Sequence, residues 1–246
     1  MRLVVVNPNT TASMTEKIGM AARAVAAPGT EVVACNPAMG PVSIEGYYDE
    51  AFCIPGMLEQ IRERPADAYV IACFDDTGLD AARSIAPGPV VGICEAAMHM
   101  ASLIAGSFTV VTTLGRAIPV VEHLAHKYGF ARHMRRARAA EVPVLDLEKP
   151  GSDAHAKLCA EIERALAEER PEAIVLGCAG MADLAAELSQ HYRLPVVDGV
   201  AAAVKLAEGL VALGLSTSRC GGYAAPDPKP YVGAFARFAP QTGAGR

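Results

Sequence analysis

Arg64–Cys73 reads RPADAYVIAC, and Arg170–Cys178 reads RPEAIVLGC. Each stretch begins with Arg-Pro, continues into a short apolar run typical of a buried parallel strand, and ends on a cysteine. The two cysteines are 105 positions apart. A strand pattern that recurs with the same terminal residue predicts two copies of one structural unit, each with a thiol at an equivalent place.

Other landmarks recur at almost the same spacing. Val4–Asn7 aligns with Val110–Thr113, and Pro89–Val91 aligns with Pro195–Val197, each at an offset of 106 positions. A near-constant offset over separate landmarks indicates a duplicated lobe rather than a chance match. We therefore expect two lobes related by a pseudo-twofold axis.

Short β-branched runs alternate with Ala-rich helical patterns along the chain. This alternation predicts an α/β fold made of two pseudo-symmetric Rossmann-like lobes with parallel sheets, and an active site in the cleft between them. Strands are expected near residues 4–6, 31–34, 68–72, 90–93, 108–111, 173–176 and 195–197. Helices are expected near residues 12–25, 49–64, 78–85, 94–105, 117–128, 153–169, 181–191 and 199–213.

The repeat also assigns the lobes. Residues 1–97, together with about 206–246, are expected to form the first α/β lobe, and residues 98–205 the second. The basic run Arg132–Arg138 is interpreted as a solvated helix end or loop, with an anion-binding or subunit contact as the alternative. Residues 241–246 are expected to be disordered.

Composition narrows the class of protein. The net charge of −5 argues against nucleic-acid binding, because that interaction needs clustered positive charge. No apolar stretch reaches about 18 uncharged residues, so neither a signal sequence nor a membrane segment is expected. Seven cysteines without a Cys-x-x-Cys or zinc-type spacing fit a cytoplasmic protein with no metal site. Gly-rich phosphate-binding fingerprints are also absent from the sequence.

Cys73 and Cys178 are the candidate catalytic residues. If the lobes face each other, the two thiols approach one cleft from opposite sides, as inversion of a carbon stereocentre by two bases requires. A thiol pKa of about 8.5 makes both protonation states accessible, and a helix N-terminus beside each sulfur would lower that pKa. The alternative is that each cysteine is a small buried hydrophobe. Asp75 and Asp76 are interpreted as helix caps that point away from the sulfur.

Other polar residues fall at the predicted cleft. Asn9 lies in the loop after the first strand, while Thr112 and Thr113 end the equivalent strand of the second lobe. Ser43 is at the centre of the loop Gly40–Gly46, which is interpreted as a lid, a binding edge or a simple turn. The six histidines fall mainly in helical stretches and none at a strand end, so a histidine base is not expected.

Several motifs together resemble the hydantoin racemase family, which includes allantoin racemases, within the aspartate/glutamate racemase superfamily. The motifs are NPNT over Asn7–Thr10, GPVSIEG over Gly40–Gly46, ACFDDTGLDAAR over Ala72–Arg83, GICEA over Gly92–Ala96 and LGCAGM over Leu176–Met181. The resemblance extends from residue 1 to about residue 232. These motifs are more specific than the two cysteines, which indicate only the superfamily.

The resemblance implies an isomerase that interconverts the D and L enantiomers of a 5-substituted hydantoin or of allantoin through an enolate. It implies no metal, pyridoxal phosphate or nucleotide cofactor, a small cyclic ureide as substrate, and a homo-oligomer. Cys73 and Cys178 would be the two bases. The resemblance further implies that Asn9, Ser43, Thr112 and Thr113 line the site, and that backbone N–H groups of Phe74, Ala179 and Gly180 hold the ring carbonyls.

The sequence itself favours a neutral ring over an amino acid. Amino-acid racemases of the superfamily typically place polar pairs after the two cysteines, whereas Phe74 and Ala179–Gly180 follow them here, without an Arg or Lys to bind a carboxylate. The alternatives are a related-fold amino-acid racemase, an arylmalonate decarboxylase, a maleate isomerase, or a non-enzymatic small-molecule binding module. The preferred ring substituent, the face served by each cysteine and the subunit number stay open.

Overall fold

Eight strands and eight α-helices alternate along residues 1–240, the part of the chain that the computed structural model describes. The first half contains β1 (Arg2–Val6), α1 (Ala12–Val25), β2 (Glu31–Cys35), α2 (Tyr47–Glu63), β3 (Ala68–Ile71), α3 (Leu79–Ile85), β4 (Val90–Gly92) and α4 (Ile93–Ile104). The second half contains β5 (Phe108–Thr112), α5 (Ile118–Lys127), β6 (Met134–Ala139), α6 (Ala154–Glu168), β7 (Ala173–Gly177), α7 (Ala185–Tyr192), β8 (Val196–Asp198) and α8 (Gly199–Ala212). Short 3-10 helices cover Gly115–Ala117, Val144–Leu147, Ala179–Leu184, Gly221–Tyr223 and Gly233–Phe238.

The two four-stranded sheets have the same topology. The first has the strand order β2-β1-β3-β4, the second has the order β6-β5-β7-β8, and every pairing is parallel. The pairing of the two central strands is also alike, because paired residues are 65 positions apart in both sheets, as in Val5 with Val70 and Val110 with Val175. This duplicated arrangement confirms the fold class that the sequence repeat predicts.

The central strands β1, β3, β5 and β7 are buried along almost their whole length and are mostly apolar. Strands of this kind require helices on both faces of the sheet. Because the strands of each sheet run parallel, their carboxyl ends meet at one edge. In the first lobe, Asn7 directly follows β1 and Cys73 comes two residues after β3. In the second lobe, Thr113 directly follows β5 and Cys178 directly follows β7.

Helices α4 and α8 join the two lobes. Helix α4 follows β4 of the first sheet but also packs on β7 of the second, while α8 follows β8 and packs on β3 of the first sheet. One apolar core contains residues of both sheets and of both helices. The helices approach closely at Gly199, where a Cβ would lie 2.6 Å from the carbonyl oxygen of Ile93. The shared core holds the lobes around the cleft, and the lobe boundaries at residue 97 and about residue 206 stay a prediction.

The basic run Arg132–Arg138 belongs mostly to a strand, so its interpretation as a solvated helix end or loop is wrong. Met134–Ala139 forms β6, the edge strand that corresponds to β2 of the first lobe. The first two arginines of the strand stay exposed, as is common on edge strands. The side chain of Arg138 is 8% exposed and pairs with three carboxylates at α6, those of Glu161, Glu168 and Glu169. These carboxylates compensate the positive charge of the buried guanidinium. A linear charge pattern does not show this pairing, because the partners lie far apart in the sequence.

The seven strands and eight helices expected from the sequence are otherwise present, with boundaries that differ by a few residues. The largest difference is at α7, which begins at Ala185 because the preceding turn forms a 3-10 helix. Within residues 1–240, no helix combines the length and apolar character needed to cross a bilayer. The expected disorder of residues 241–246 lies outside the described part of the chain.

Candidate active site

A cavity that is partly open to solvent lies between the two lobes. The residues at the carboxyl ends of the central strands of both sheets build its wall. Its lining from the first lobe includes Asn7, Asn9, Met14, Ile44, Glu45, Cys73, Phe74 and Asp75, and from the second Thr112, Thr113, Leu114, Val144, Gly177, Cys178 and Ala179. The two candidate cysteines therefore open into one cavity from opposite lobes.

Cys73 lies in a tight turn after β3. Its carbonyl accepts a hydrogen bond from the backbone N–H of Asp76, 3.0 Å away, and the turn continues to Gly78, whose φ of 69° lies in the left-handed region. The backbone N–H of Asp75 donates to the Cys73 sulfur, and the Thr77 hydroxyl lies 3.7 Å from it. Helix α3 begins only at residue 79. The donors at this sulfur therefore come from a turn, where the sequence predicts a helix N-terminus.

Cys178 directly precedes the 3-10 helix Ala179–Leu184. Its carbonyl accepts a hydrogen bond of 3.1 Å from the N–H of Met181, and the N–H of Gly180 donates to its sulfur. A Cβ at Gly180 would lie 3.0 Å from Leu147 and 3.6 Å from the Cys178 sulfur. The absence of a side chain at Gly180 thus lets the turn pass close to the thiol.

Both thiols are harder to ionise than a free cysteine. Burial raises the pKa of Cys178 to about 11, and the negative charge of Asp75 adds to this effect, while the Lys17 ammonium opposes it. Burial also raises the pKa of Cys73 well above its usual range, with Asp75 again contributing. The net pKa of each thiol therefore lies above that of a free cysteine, although the sequence predicts that backbone dipoles lower it. The local N–H donors act in the expected direction, but desolvation outweighs them.

The two neighbouring aspartates point in different directions. Asp76 caps α4, because its carboxylate accepts hydrogen bonds from the N–H groups of Cys94 (3.0 Å) and Glu95 (2.9 Å) and from the Tyr128 hydroxyl (2.8 Å). Asp75 lines the cavity, so the expectation that it points away from the thiols is wrong. Asp76 adopts a left-handed φ of 46°, which turns the chain between the two side chains.

The carboxyl group of Asp75 interacts electrostatically with both thiols. Burial, followed by the nearby carboxylates of Glu50 and Asp76, raises the pKa of Asp75 to about 7. Its negative charge in turn raises the pKa of both Cys73 and Cys178. The protonation of Asp75 is thereby coupled to that of the thiol pair.

The asparagine loop after β1 is held by its own hydrogen bonds. The Asn7 amide donates to the Asn9 side-chain oxygen (2.8 Å) and to the Thr15 hydroxyl (3.0 Å), and the same Asn9 oxygen accepts the N–H of Thr11 at 2.9 Å. The Asn9 amide nitrogen lies 3.3 Å from the sulfur of Met14. Asn9 lines the cavity as the resemblance implies, and Asn7 of the same loop lines it as well.

The other predicted site residues divide into two groups. Phe74, Thr112, Thr113 and Ala179 line the cavity, whereas Ser43 and Gly180 are not part of its lining. Thr112 donates its hydroxyl to the carbonyl of Gly177, 2.9 Å away. In the loop Gly40–Gly46, the two residues that follow Ser43 line the cavity instead, namely Ile44 and Glu45.

Glu45 extends the first lobe across the cleft. Its carboxylate accepts a hydrogen bond of 3.1 Å from the N–H of Val144 in the second lobe. This contact with the opposite lobe disfavours the interpretation of the loop Gly40–Gly46 as a simple turn. A lid and a binding edge stay as the alternatives for the loop. Glu45 belongs to the motif GPVSIEG, but the motif does not predict this contact, because the contact depends on how the lobes meet.

The cavity lining contains no Arg, Lys or His side chain among residues 1–240. In the same residues, no group of three or more His, Cys, Asp or Glu side chains is arranged as a metal site. The side chains of Met14, Ile44, Leu114 and Val144 make part of the wall apolar. An uncharged, partly apolar molecule fits this wall better than one with a carboxylate that needs a cation.

Two like α/β lobes that contribute one thiol each to a shared cleft have the Asp/Glu racemase type of fold. Residues 3–207 match the sequence profile described as Asp/Glu/Hydantoin racemase. The chain belongs to this family and is an isomerase, which confirms the resemblance noted from its motifs.

Relatives and solved structures agree with this assignment. The chain is 50% identical to a hydantoin racemase of Rhizobium meliloti over 95% of its own length and 98% of the relative, and 45% identical to one of Pseudomonas sp. (strain NS671) over 97% of both. It superposes on an allantoin racemase from Klebsiella pneumoniae with a TM-score of 0.95 and 52% identity, covering 98% of this chain and 100% of that structure. A glutamate racemase from Francisella tularensis subsp. tularensis shares the fold, with a TM-score of 0.66 at 14% identity and coverage of 88% and 84%.

Proposed function

We propose that this protein racemises a 5-substituted hydantoin or allantoin without a cofactor, with Cys73 and Cys178 as the two bases. The observation that carries the proposal is the placement of these thiols, one from each lobe, at equivalent strand ends around one cavity. The identity to hydantoin racemases and the superposition on an allantoin racemase support the same substrate class.

The cavity lining suits a neutral cyclic ureide. Such a ring presents carbonyl oxygens, which accept hydrogen bonds from backbone N–H groups of the turns at Phe74 and Ala179 in the proposed complex. Its ring N–H groups need acceptors, and the carboxylates of Asp75 and Glu45 face the cavity. The lining lacks a cationic side chain among the described residues, which disfavours the alternative of an amino-acid racemase.

In the proposed reaction, one thiolate removes the proton from C5 of the ring. The electron pair of the C5–H bond moves into the adjacent carbonyl, which becomes an enolate oxygen held by backbone N–H donors. The opposite thiol then transfers its proton to the other face of C5, and the carbonyl is restored. The thiolate and thiol have exchanged roles, so the reverse reaction starts from the product state of the pair.

Racemisation in D2O tests this proposal. One enantiomer of allantoin or of a 5-alkyl or 5-aryl hydantoin is incubated with the enzyme, and the decay of its circular dichroism signal is followed. We expect loss of optical activity, and the newly formed enantiomer should carry deuterium at C5. No racemisation across this panel would contradict the proposed function, and CO2 release from an arylmalonate would favour the decarboxylase alternative.

The activity should depend on pH because only a pair with one thiolate and one thiol can turn over. Burial and Asp75 hold both thiol pKa values above the usual value, that of Cys178 at about 11, so the singly ionised pair is scarce at neutral pH. We expect kcat/KM to rise about tenfold per pH unit between about pH 7 and about pH 9, and to fall once the second thiol ionises. Polarimetric rates at each pH, with the non-enzymatic rate subtracted, measure this profile; a flat profile would contradict it.

The homo-oligomeric state and the cytoplasmic location belong to the same proposal. An exposed aromatic pair on α2, Tyr48 and Phe52, with ring centroids 4.8 Å apart, supports a subunit contact on this face. Light scattering coupled to size-exclusion chromatography measures the subunit number.

A further inference from the structure

Lys17 reaches across the cleft from the first lobe to the turn that carries Cys178. It lies on α1, and its ammonium group donates a hydrogen bond of 2.7 Å to the carbonyl of Gly180. The same group forms an ion pair of 3.0 Å with Asp183, and the Lys17 side chain is 20% exposed. The lysine therefore holds two points of the 3-10 helix that begins directly after Cys178.

This contact places a positive charge close to one thiol of the pair. Gly180 both accepts the Lys17 hydrogen bond through its carbonyl and donates its N–H to the Cys178 sulfur. The main opposing charges on Cys178 are the carboxylates of Asp75 and Glu148, and Asp183, the ion-pair partner of Lys17, lies on the 3-10 helix that follows the thiol. Glu148 is itself held by the hydroxyl of Ser13, 2.8 Å away, on the same helix as Lys17. Lys17 is thus the cation that opposes two negative charges at this thiol.

The second lobe has no lysine at the position equivalent to Lys17, so the two thiols have different charged surroundings. The position 106 residues after Lys17 is His123, which lies on α5 and is exposed. Asp75 and the neighbouring thiol of Cys53 are the ionisable groups that act on Cys73, and both disfavour its thiolate. Within the described residues, no cation is among the main influences on the pKa of Cys73, whereas Lys17 is one of those on the pKa of Cys178.

We propose that Lys17 is a positioning residue that fixes the Cys178 turn from the opposite lobe and favours the Cys178 thiolate over the Cys73 thiolate. The catalytic meaning rests on the proposed function: when the pair is singly ionised, the charge would lie on Cys178 and the proton on Cys73, ready for the enantiomer whose C5–H faces Cys178. Two enantiomers have equal free energy, so kcat/KM must be the same in both directions. The difference between the two thiols in their tendency to ionise therefore has to be measured on the free enzyme.

Alkylation of the full-length protein by iodoacetamide at a series of pH values provides this measurement. Peptide mass spectrometry separates the Cys73 and Cys178 peptides from those of the other cysteines, and the reaction follows the thiolate fraction of each. In the wild type, we expect Cys178 to react at lower pH than Cys73. In Lys17→Met, the midpoint for Cys178 should rise by on the order of one pH unit, while that for Cys73 stays in place.

Further variants separate charge from general structure. Lys17→Arg keeps the charge and should keep the Cys178 midpoint near that of the wild type. Lys17→Gln can still donate to the Gly180 carbonyl but is neutral, so it should raise the midpoint as Met does, and it serves the test if Lys17→Met does not fold. Lys157→Met removes an exposed lysine that pairs with Asp153 on its own helix, and it should leave both midpoints unchanged.

The outcomes distinguish this proposal from the proposed function. Equal shifts of both thiols, or no shift of Cys178 in Lys17→Met and Lys17→Gln, overturn the role of Lys17. Alkylation requires no substrate, so a wild-type protein that racemises no hydantoin would contradict the function while the alkylation order still tests Lys17. The expected result is a rise of the Cys178 midpoint alone in both neutral variants.

Discussion

Cys73→Ala and Cys178→Ala are each expected to lower kcat/KM for racemisation by at least about 10³-fold. Each variant lacks one of the two groups that exchange a proton with C5, so a proton removed on one face has no donor on the other. Chiral chromatography of a single enantiomer after incubation measures the loss. Because both thiols line a cavity rather than fill a tightly packed core, the fold should tolerate either substitution.

The two variants should differ in what activity they retain. With one base left, each can still remove and return a proton on a single face, so deuterium enters one enantiomer without inversion. We expect Cys73→Ala and Cys178→Ala to exchange opposite enantiomers, which would also assign each cysteine to a face. Cys220→Ala, which removes an exposed thiol, is the control and should keep full activity. Complete racemisation by either active-site variant would exclude the two-base mechanism.

The sequence predicts the fold well because the repeat and the strand periodicity are local features of the chain. Equivalent strands end on Cys73 and Cys178, and parallel sheets bring such ends to one edge. The pairing of the two thiols around one cavity follows from this symmetry and needs no knowledge of side-chain contacts. Thr112 and Thr113 reach the cavity for the same reason, since they end the counterpart of β1.

The features that the sequence does not predict depend on contacts between distant parts of the chain. Lys17 and Glu45 contact the opposite lobe, and the local sequence around each residue does not predict these contacts. The direction of Asp75 depends on a left-handed backbone at Asp76, which the residue type permits but does not require. The sequence predicts a solvated Arg138, because the carboxylates at α6 that pair with it are distant along the chain. The raised thiol pKa values likewise arise from burial, which a linear motif does not report.

Asp76→Ala is expected to lower the free energy of unfolding by about 3 kcal/mol. The change removes a cap that accepts three hydrogen bonds, and it leaves the buried N–H of Cys94 and the Tyr128 hydroxyl without their acceptor. It also alters the turn that carries Cys73, so kcat/KM should fall on the order of tenfold or more in the folded variant. Urea unfolding and the polarimetric assay measure the two effects.

The repeat supplies a matched comparison for this cap. Helix α8, the counterpart of α4, is capped locally by Asp198, which accepts the N–H groups of Val200 at 3.0 Å and Ala201 at 2.7 Å. The equivalent position before α4 is Gly92, where a Cβ would collide with the Asp76 carboxylate. Asp198→Ala should cost less, about 1 kcal/mol, because only a local cap is lost.

A rescue variant separates the cap from other roles of Asp76. In Asp76→Ala the space beside Gly92 is vacated, so Gly92→Asp in that background can cap α4 as Asp198 caps α8. We expect the double variant to regain a substantial part of the lost stability, whereas Gly92→Asp alone should destabilise the protein because two carboxylates would compete for one site. If the double variant is no more stable than Asp76→Ala, the cost of losing Asp76 does not arise from the cap. The stability of the Cys73 turn would then depend on the strained backbone at residue 76, and Asp76→Asn, which tolerates that conformation, should be close to the wild type.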